Sequence, residues 1–245
     1  MNRIIALIML LILTCPFAAS AQKQFAADTI KTSAGDLTIT FIGHASLMFD
    51  FAGKIIQVDP FSKVADYTAL PKADIILITH DHYDHLDLPA LNSVRTPHTE
   101  VVLTQTCAKQ VKGGIVMHNG EVKTVQGIKI EAVPAYNLIH MGDNNQPFHP
   151  KGVGNGYLLT FGDKRIYVAG DTENTPEVKA LRDIDVAFLP MNLPYTMTPE
   201  MVADAARAFR PKILYPYHYG ETDPAKLVDL LKDDKDIEVR IRAMQ

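Results

Sequence analysis

Thr79-His80-Asp81-His82-Tyr83-Asp84-His85-Leu86-Asp87 packs six metal-ligand side chains into nine residues, directly after the apolar run Ile75-Ile76-Leu77-Ile78. A short β-branched run of this kind reads as a buried strand, so its end delivers imidazoles and carboxylates to the rim of a sheet. Buried unpaired His and Asp are costly, and a solvated loop has no need of three imidazoles in six residues. Chelation of a divalent metal accounts for the composition directly.

Four more ligand types stand at or beside the ends of apolar runs. Asp59 follows Ile55–Val58, Asp171 follows Ile166–Ala169, His218 follows Ile213–Tyr215, and His44 sits in Gly43-His44-Ala45-Ser46. Each alone reads as a turn residue, a cap or a hydrogen-bonded histidine. Together with the His/Asp cluster they predict one metal site assembled from several strand ends.

The elements that must position them follow from periodicity. Leu37–Ile42 alternates apolar and polar, Ser46–Phe51 resumes after Gly43-His44, and Ala52-Gly53 turns the chain into Ile55–Val58. Residues 22–35 are polar and read as a loosely held leader. Further strands are expected at Val101–Thr104, Val122–Val125, Ile128–Val133, Gly156–Phe161 and Lys164–Ala169, with a helical turn over Cys107–Val111. Tyr136–Asn155 is long and irregular, as functional loops are. Later come strands Asp185–Leu189, Ile213–Tyr215 and Ile237–Ile241, and helices from Pro199 to Phe209, capped by Thr198, and from Pro224 to Lys232. This order, strand pairs early and strand–helix units late, fits two packed sheets with helices outside.

The chain has 245 residues, 47% hydrophobic and 21% charged, enough for one large domain with a substantial core. A net charge of −4 and the lack of a basic run argue against a nucleic-acid partner, leaving a small-molecule substrate. Met1-Asn2-Arg3, the apolar run Ile4–Leu13 and Ala19-Ser20-Ala21 read as a cleaved signal peptide over residues 1–21. The expected mature chain, 22–245, is then exported to a periplasm or secreted, with no stable membrane insertion, since the apolar run is short for a bilayer span. Cys107 is the one cysteine left after cleavage, so no internal disulfide is expected.

His80-Asp81-His82-Tyr83-Asp84-His85 resembles the H-x-H-x-D-H signature of the metallo-β-lactamase superfamily. In order along the chain, Asp59 resembles the family's early Asp, Gly170-Asp171-Thr172 its bridging Asp and His218 its last His, and Gly43-His44-Ala45-Ser46 looks like the branch of ascorbate-6-phosphate lactonase-like hydrolases. The resemblance implies an α/β fold, a four-layer αβ/βα sandwich, with two divalent metal ions at one edge, zinc first and manganese or iron as alternatives. It implies His80 and His82 on one metal, Asp84, His85 and His218 on the second, and Asp171 between them, with Asp84 and Asp171 the catalytic carboxylates. Asp59 would orient the His/Asp loop, and His44 would support a ligand or face the substrate.

One position departs from the family. Where a third histidine for the first metal is expected, Val133-Pro134-Ala135-Tyr136 leads to Asn137, and amides are uncommon ligands of transition metals. His140 and His149 are the replacements on offer; His149, held by Pro150 next to the following strand, is favoured. Tyr195, in the loop Met191–Met197, is a candidate substrate contact, and Tyr217 and Tyr219 read equally as hydroxyl donors or packing residues. The function expected is a metal-dependent hydrolase turning a metal-activated hydroxide on a phosphodiester, lactone or other ester. The alternatives are a β-lactamase-like amidase, disfavoured because no cysteine stands near Gly170, and a non-catalytic metal- or partner-binding module.

Overall fold

The computed structural model describes residues 25–244; the expected signal peptide lies outside the described residues. The chain runs β1 (Ala26–Thr32), β2 (Gly35–Gly43), β3 (Ser46–Phe51), β4 (Lys54–Val58), β5 (Ile75–Leu77), α1 (Leu88–Val94), β6 (Glu100–Leu103) and β7 (Ile115–Val116). It continues through β8 (Val122–Val125), β9 (Ile128–Ala135), β10 (Gly154–Phe161), β11 (Lys164–Val168), α2 (Pro176–Lys179), β12 (Val186–Pro190), α3 (Pro199–Phe209), β13 (Ile213–Tyr217), α4 (Ala225–Leu231) and β14 (Glu238–Val239).

These strands form two seven-stranded sheets, β1 to β7 in sequence order and β14 back to β8. In each sheet the first four strands of the chain are antiparallel and the rest parallel. The inner faces meet through aromatic rings: Phe49 lies 5.8 Å from Phe161 and 6.2 Å from Phe188, and Phe41 lies 5.0 Å from Tyr215. Such pairs add about 0.5–1.5 kcal/mol each beyond the area they bury. On the outside, Ala90, Leu91 and Val94 of α1 pack with Ile76, Ile78 and Val101 of the first sheet, and Phe209 of α3 meets Tyr167 of β11 edge-on at 6.4 Å. The result is the expected αβ/βα sandwich.

Thr198 caps α3 by accepting from Met201 N, and Pro199 opens it, as the sequence implies. Residues 26–32 are not a loose leader. They form β1, paired with β2 from Ala26 opposite Phe41 to Thr32 opposite Gly35. Within β1 the side chain of Ile30 is the buried one, so the strand is an edge whose pairing is carried by the backbone and leaves little apolar pattern to read.

Candidate metal centre

The strand ends converge on one rim. Asp59 follows β4, the His80–His85 loop follows β5, Asp171 follows β11 and His218 follows β13, all at carboxyl ends, where open α/β sheets build their sites. His44 occupies the β2–β3 turn. His44, Asp59 and His218 adopt positive φ of 55°, 42° and 46°. Non-glycine residues rarely adopt that region, and here it turns each side chain out of its strand direction. Gly170 (φ 63°) has no alternative: a Cβ there would sit 2.9 Å from Asn155 O. Backbone hydrogen bonds stitch the sheets together at this rim, His218 N to His44 O at 3.0 Å and Asn155 N to Thr79 O at 2.9 Å.

Three imidazoles have their tautomers fixed by their partners. Asp59, fully buried, accepts from Thr79 N (2.8 Å), Thr79 Oγ1 (2.6 Å) and His85 Nδ1 (2.8 Å). A carboxylate can only accept, so His85 carries its proton on Nδ1 and turns the Nε2 lone pair inward. Thr79 Oγ1, its own hydrogen given to Asp59, accepts from His80 Nδ1 at 3.1 Å, which leaves His80 the same tautomer. Asn137 Nδ2 donates to Glu173 Oε1 (3.0 Å) and to Tyr195 O (2.9 Å), so the amide cannot be flipped. Its Oδ1 therefore accepts from His149 Nδ1 at 2.6 Å, and His149 too presents Nε2.

Donor atoms of His80, His82 and His149 lie within 4.8 Å of one another, as do those of His44, Asp84 and His218, and those of His80, His85 and Asp171. Asp171 stands between the groups: Oδ2 is 3.3 Å from His149 Nε2 and 3.4 Å from His218 Nε2, and Oδ1 is 3.3 Å from His85 Nε2. Asp84 Oδ2 accepts from His44 Nε2 at 2.9 Å and lies 3.6 Å from His218 Nε2. His80 Nε2, His85 Nε2 and Asp171 Oδ1 are buried with no hydrogen-bond partner, which costs free energy unless something else is bound. Imidazole nitrogens and carboxylate oxygens aimed at common points are a donor set for divalent transition metals.

The electrostatics agree. Burial pushes His80 well below its usual pKa, with His85 adding to the effect, so the imidazole stays neutral, the form that can bind a cation. Burial opposes charge on His85, yet Asp171 and Asp59 outweigh it and hold its pKa at about 9. Burial would raise Asp84, but the His44 hydrogen bond and the neighbouring His85 and His218 pull it to about 2. Carboxylates this anionic around one buried imidazole call for positive charge, which a divalent cation supplies better than a proton.

Asp81 lines a small recess behind His80 and His82, and Asp87 accepts from Ala90 N to cap α1 and from Ser62. Tyr217 is buried, its hydroxyl 3.4 Å from Gly170 O, and Tyr219 Oη donates to Arg242 O. Both are packing residues, whereas Tyr195 lines the cavity above the centre. His140 is turned away, its Nδ1 donating to Glu173 Oε1 at 2.8 Å. Glu173 is the residue that sequence reasoning missed. Its buried carboxylate accepts from the backbone N of Leu138 (2.7 Å), Ile139 (2.8 Å) and His140 (2.8 Å) as well as from Asn137, and so holds the loop that carries His149. The signal available was an acidic residue two places after Asp171, in Gly170-Asp171-Thr172-Glu173.

The family description "beta-lactamase superfamily domain" matches residues 38–218. A UPF0173 metal-dependent hydrolase of Pelotomaculum thermopropionicum is 30% identical over 220 residues, 84% of this chain and 96% of that protein. A protein of the same name from Methanoculleus marisnigri is 33% identical, covering 77% of this chain and 83% of that one. The crystal structure of a candidate metal-dependent hydrolase from Parabacteroides distasonis superposes with a TM-score of 0.87 at 53% identity, over 91% of this chain and all of that one. The diiron β-hydroxylase CmlA of Streptomyces venezuelae shares the fold at a TM-score of 0.65 and 17% identity, over 88% of this chain and 54% of that one.

Proposed function

The chain belongs to the β-lactamase superfamily and is a metal-dependent hydrolase, and we propose that it hydrolyses a phosphodiester, lactone or other ester at a centre of two divalent ions, zinc first. The observation that carries this reading is Asp171, whose two oxygens face histidines of both donor groups. His80, His82 and His149 would hold one ion, Asp84, His85 and His218 the second, with Asp171 shared. When bound, such a pair lowers the pKa of a water toward neutrality and stabilises the oxyanion of the reacting ester.

The chain's own groups do the rest. Asp59 and Asn137 aim two of the imidazoles and fix their tautomers. His44 donates to Asp84 and holds that carboxylate against His218. Over the centre lies a cavity of about 380 Å³, lined beside the candidate ligands by Tyr83, Phe148, Asn192 and Tyr195, where the Asn192 amide offers a polar contact to an ester. The donor set contains no cysteine, which favours ester over β-lactam chemistry.

Metal analysis with a panel of nitrophenyl acetate, bis(nitrophenyl) phosphate, a γ-lactone and a β-lactam tests the reading. Two ions per chain and turnover of an ester, lost in Asp171→Asn, are expected. A fully metallated protein inert toward all four would favour a binding module and sink the proposal. We also propose export, on the signal-like segment 1–21. N-terminal sequencing of secreted protein should begin near Gln22, and an intact Met1 on cytoplasmic material would refute it.

A further inference from the structure

Apart from the groups that face the metals, the cavity wall consists of Tyr83, Phe148, Asn192 and Tyr195. Three of these four are aromatic, and neither lysine nor arginine lines the cavity. Phe148 and Tyr195 meet edge-on at 5.0 Å, which makes one continuous apolar wall from two separate loops.

The wall extends outward. Nine large hydrophobic side chains are exposed among the described residues, and six of them, Tyr83, Leu138, Ile139, Met141, Leu193 and Tyr195, lie on the three loops that supply this cavity. Single exposed apolar residues need no explanation, but their concentration on the loops of one site does. Tyr83 is 70% exposed and Ile139 67%. The chain leaves them in water although Glu173 fixes the backbone of Leu138 and Ile139 with two short hydrogen bonds. The loop is thus held in a conformation that presents apolar side chains.

Resting on the hydrolase reading, we infer that the substrate is an uncharged carboxylic ester or lactone whose acyl or aryl group packs on the Tyr83–Phe148–Tyr195 wall and this apolar rim. A phosphate monoester or nucleotide carries charge beyond the scissile group, which proteins meet with arginine, lysine or a helix N-terminus. This wall offers no such cation. Lys63 is close by, but its Nζ lies 5.2 Å from the centroid of the Tyr83 ring, engaged with that ring and outside the cavity lining.

The test compares acetohydroxamate and octanohydroxamate, two metal chelators with the same head, by titration calorimetry on the metal-loaded protein. A buried methylene contributes about fourfold in affinity, and about twofold when half-buried, so six half-buried methylenes give about 60-fold tighter binding of the longer chain. Tyr195→Phe should keep that ratio and Tyr195→Ser should cut it several-fold. A ratio near one, or binding by neither chelator, overturns the inference. So does a preference for bis(nitrophenyl) phosphate over nitrophenyl octanoate in turnover. The two readings fail separately: equal hydroxamate affinities with normal ester turnover remove the apolar substrate alone. Absent turnover removes the hydrolase reading, and the hydroxamate ratio still decides the fate of the wall.

Discussion

Asn137 stands where a strand-end histidine would complete the first donor group, and its amide aims a histidine from twelve residues downstream. The pairing is reciprocal in the backbone as well: Asn137 N donates to His149 O, and His149 N to Asn137 Oδ1, both at 2.9 Å. On the proposed two-ion centre, His149→Ala should therefore abolish one of the two ions, as counted by metal analysis. Asn137→Leu leaves the ligand in place but frees its tautomer and orientation. Loss of such a supporting partner typically costs about 10- to 100-fold in metal affinity, read by competition with a chromogenic chelator; unchanged affinity would mean the amide does not aim His149. The dense His80–His85 loop and its distant partners were legible because each follows an apolar run, a pattern visible in one dimension. Asn137 was legible as a departure but not as an orienter, because that role depends on two other acceptors fixing its flip. Asp87 was misleading, a ligand type spent on capping α1.

Short loops set by few residues decide how these side chains meet. The 136–153 segment contains no helix or ladder strand, only an isolated bridge between Met141 and Pro147. Its order comes instead from Glu173, whose buried carboxylate gathers three successive backbone N–H groups. Burial works to raise the Glu173 pKa, but donation from Asn137 and the loop amides outweighs it and keeps the group ionised. Glu173→Gln replaces one acceptor oxygen by an NH₂ that faces donors. Leaving such partners unmatched costs about 2 kcal/mol, equivalent to roughly 30-fold faster amide exchange at residues 138–140 through local opening. Exchange there at the parent rate would show that the loop is held by something else. The sequence announced this loop by length and polarity but not its anchor, which lies beyond β10 and β11. Likewise α3 could be read from Thr198 and Pro199, whereas β1, with one buried side chain, carried no periodicity to detect.

Across the whole molecule the site requires two sheets to keep their edges in register, because Asp59 and the His80–His85 loop belong to one and Asp171 and His218 to the other. Backbone hydrogen bonds hold them at the metal rim, and an ion cluster joins the first described strand to the end of the chain. Asp28 of β1 accepts from Arg242 Nη2 at 2.8 and 2.6 Å and from the Tyr215 hydroxyl of β13. Arg242 lies over the Phe41 ring, 5.5 Å from its centroid, and over the Tyr215 ring at 5.7 Å. Burial tends to raise the Asp28 pKa, but the hydrogen bonds from Arg242 and Tyr215 and the charges of Arg242 and Arg240 hold it below the usual carboxylate value. A carboxyl depressed in the folded state adds stability above its unfolded pKa of about 3.9, and that contribution fades as pH falls through the folded value. Asp28→Asn should thus cost about 2 kcal/mol near neutrality, the usual scale for hydrogen bonds to a charged group. Urea unfolding of parent and variant across pH should show a constant gap above about pH 5 that closes below about pH 4. A gap that persists unchanged at pH 3 would mean that Asp28 acts by shape and not by charge.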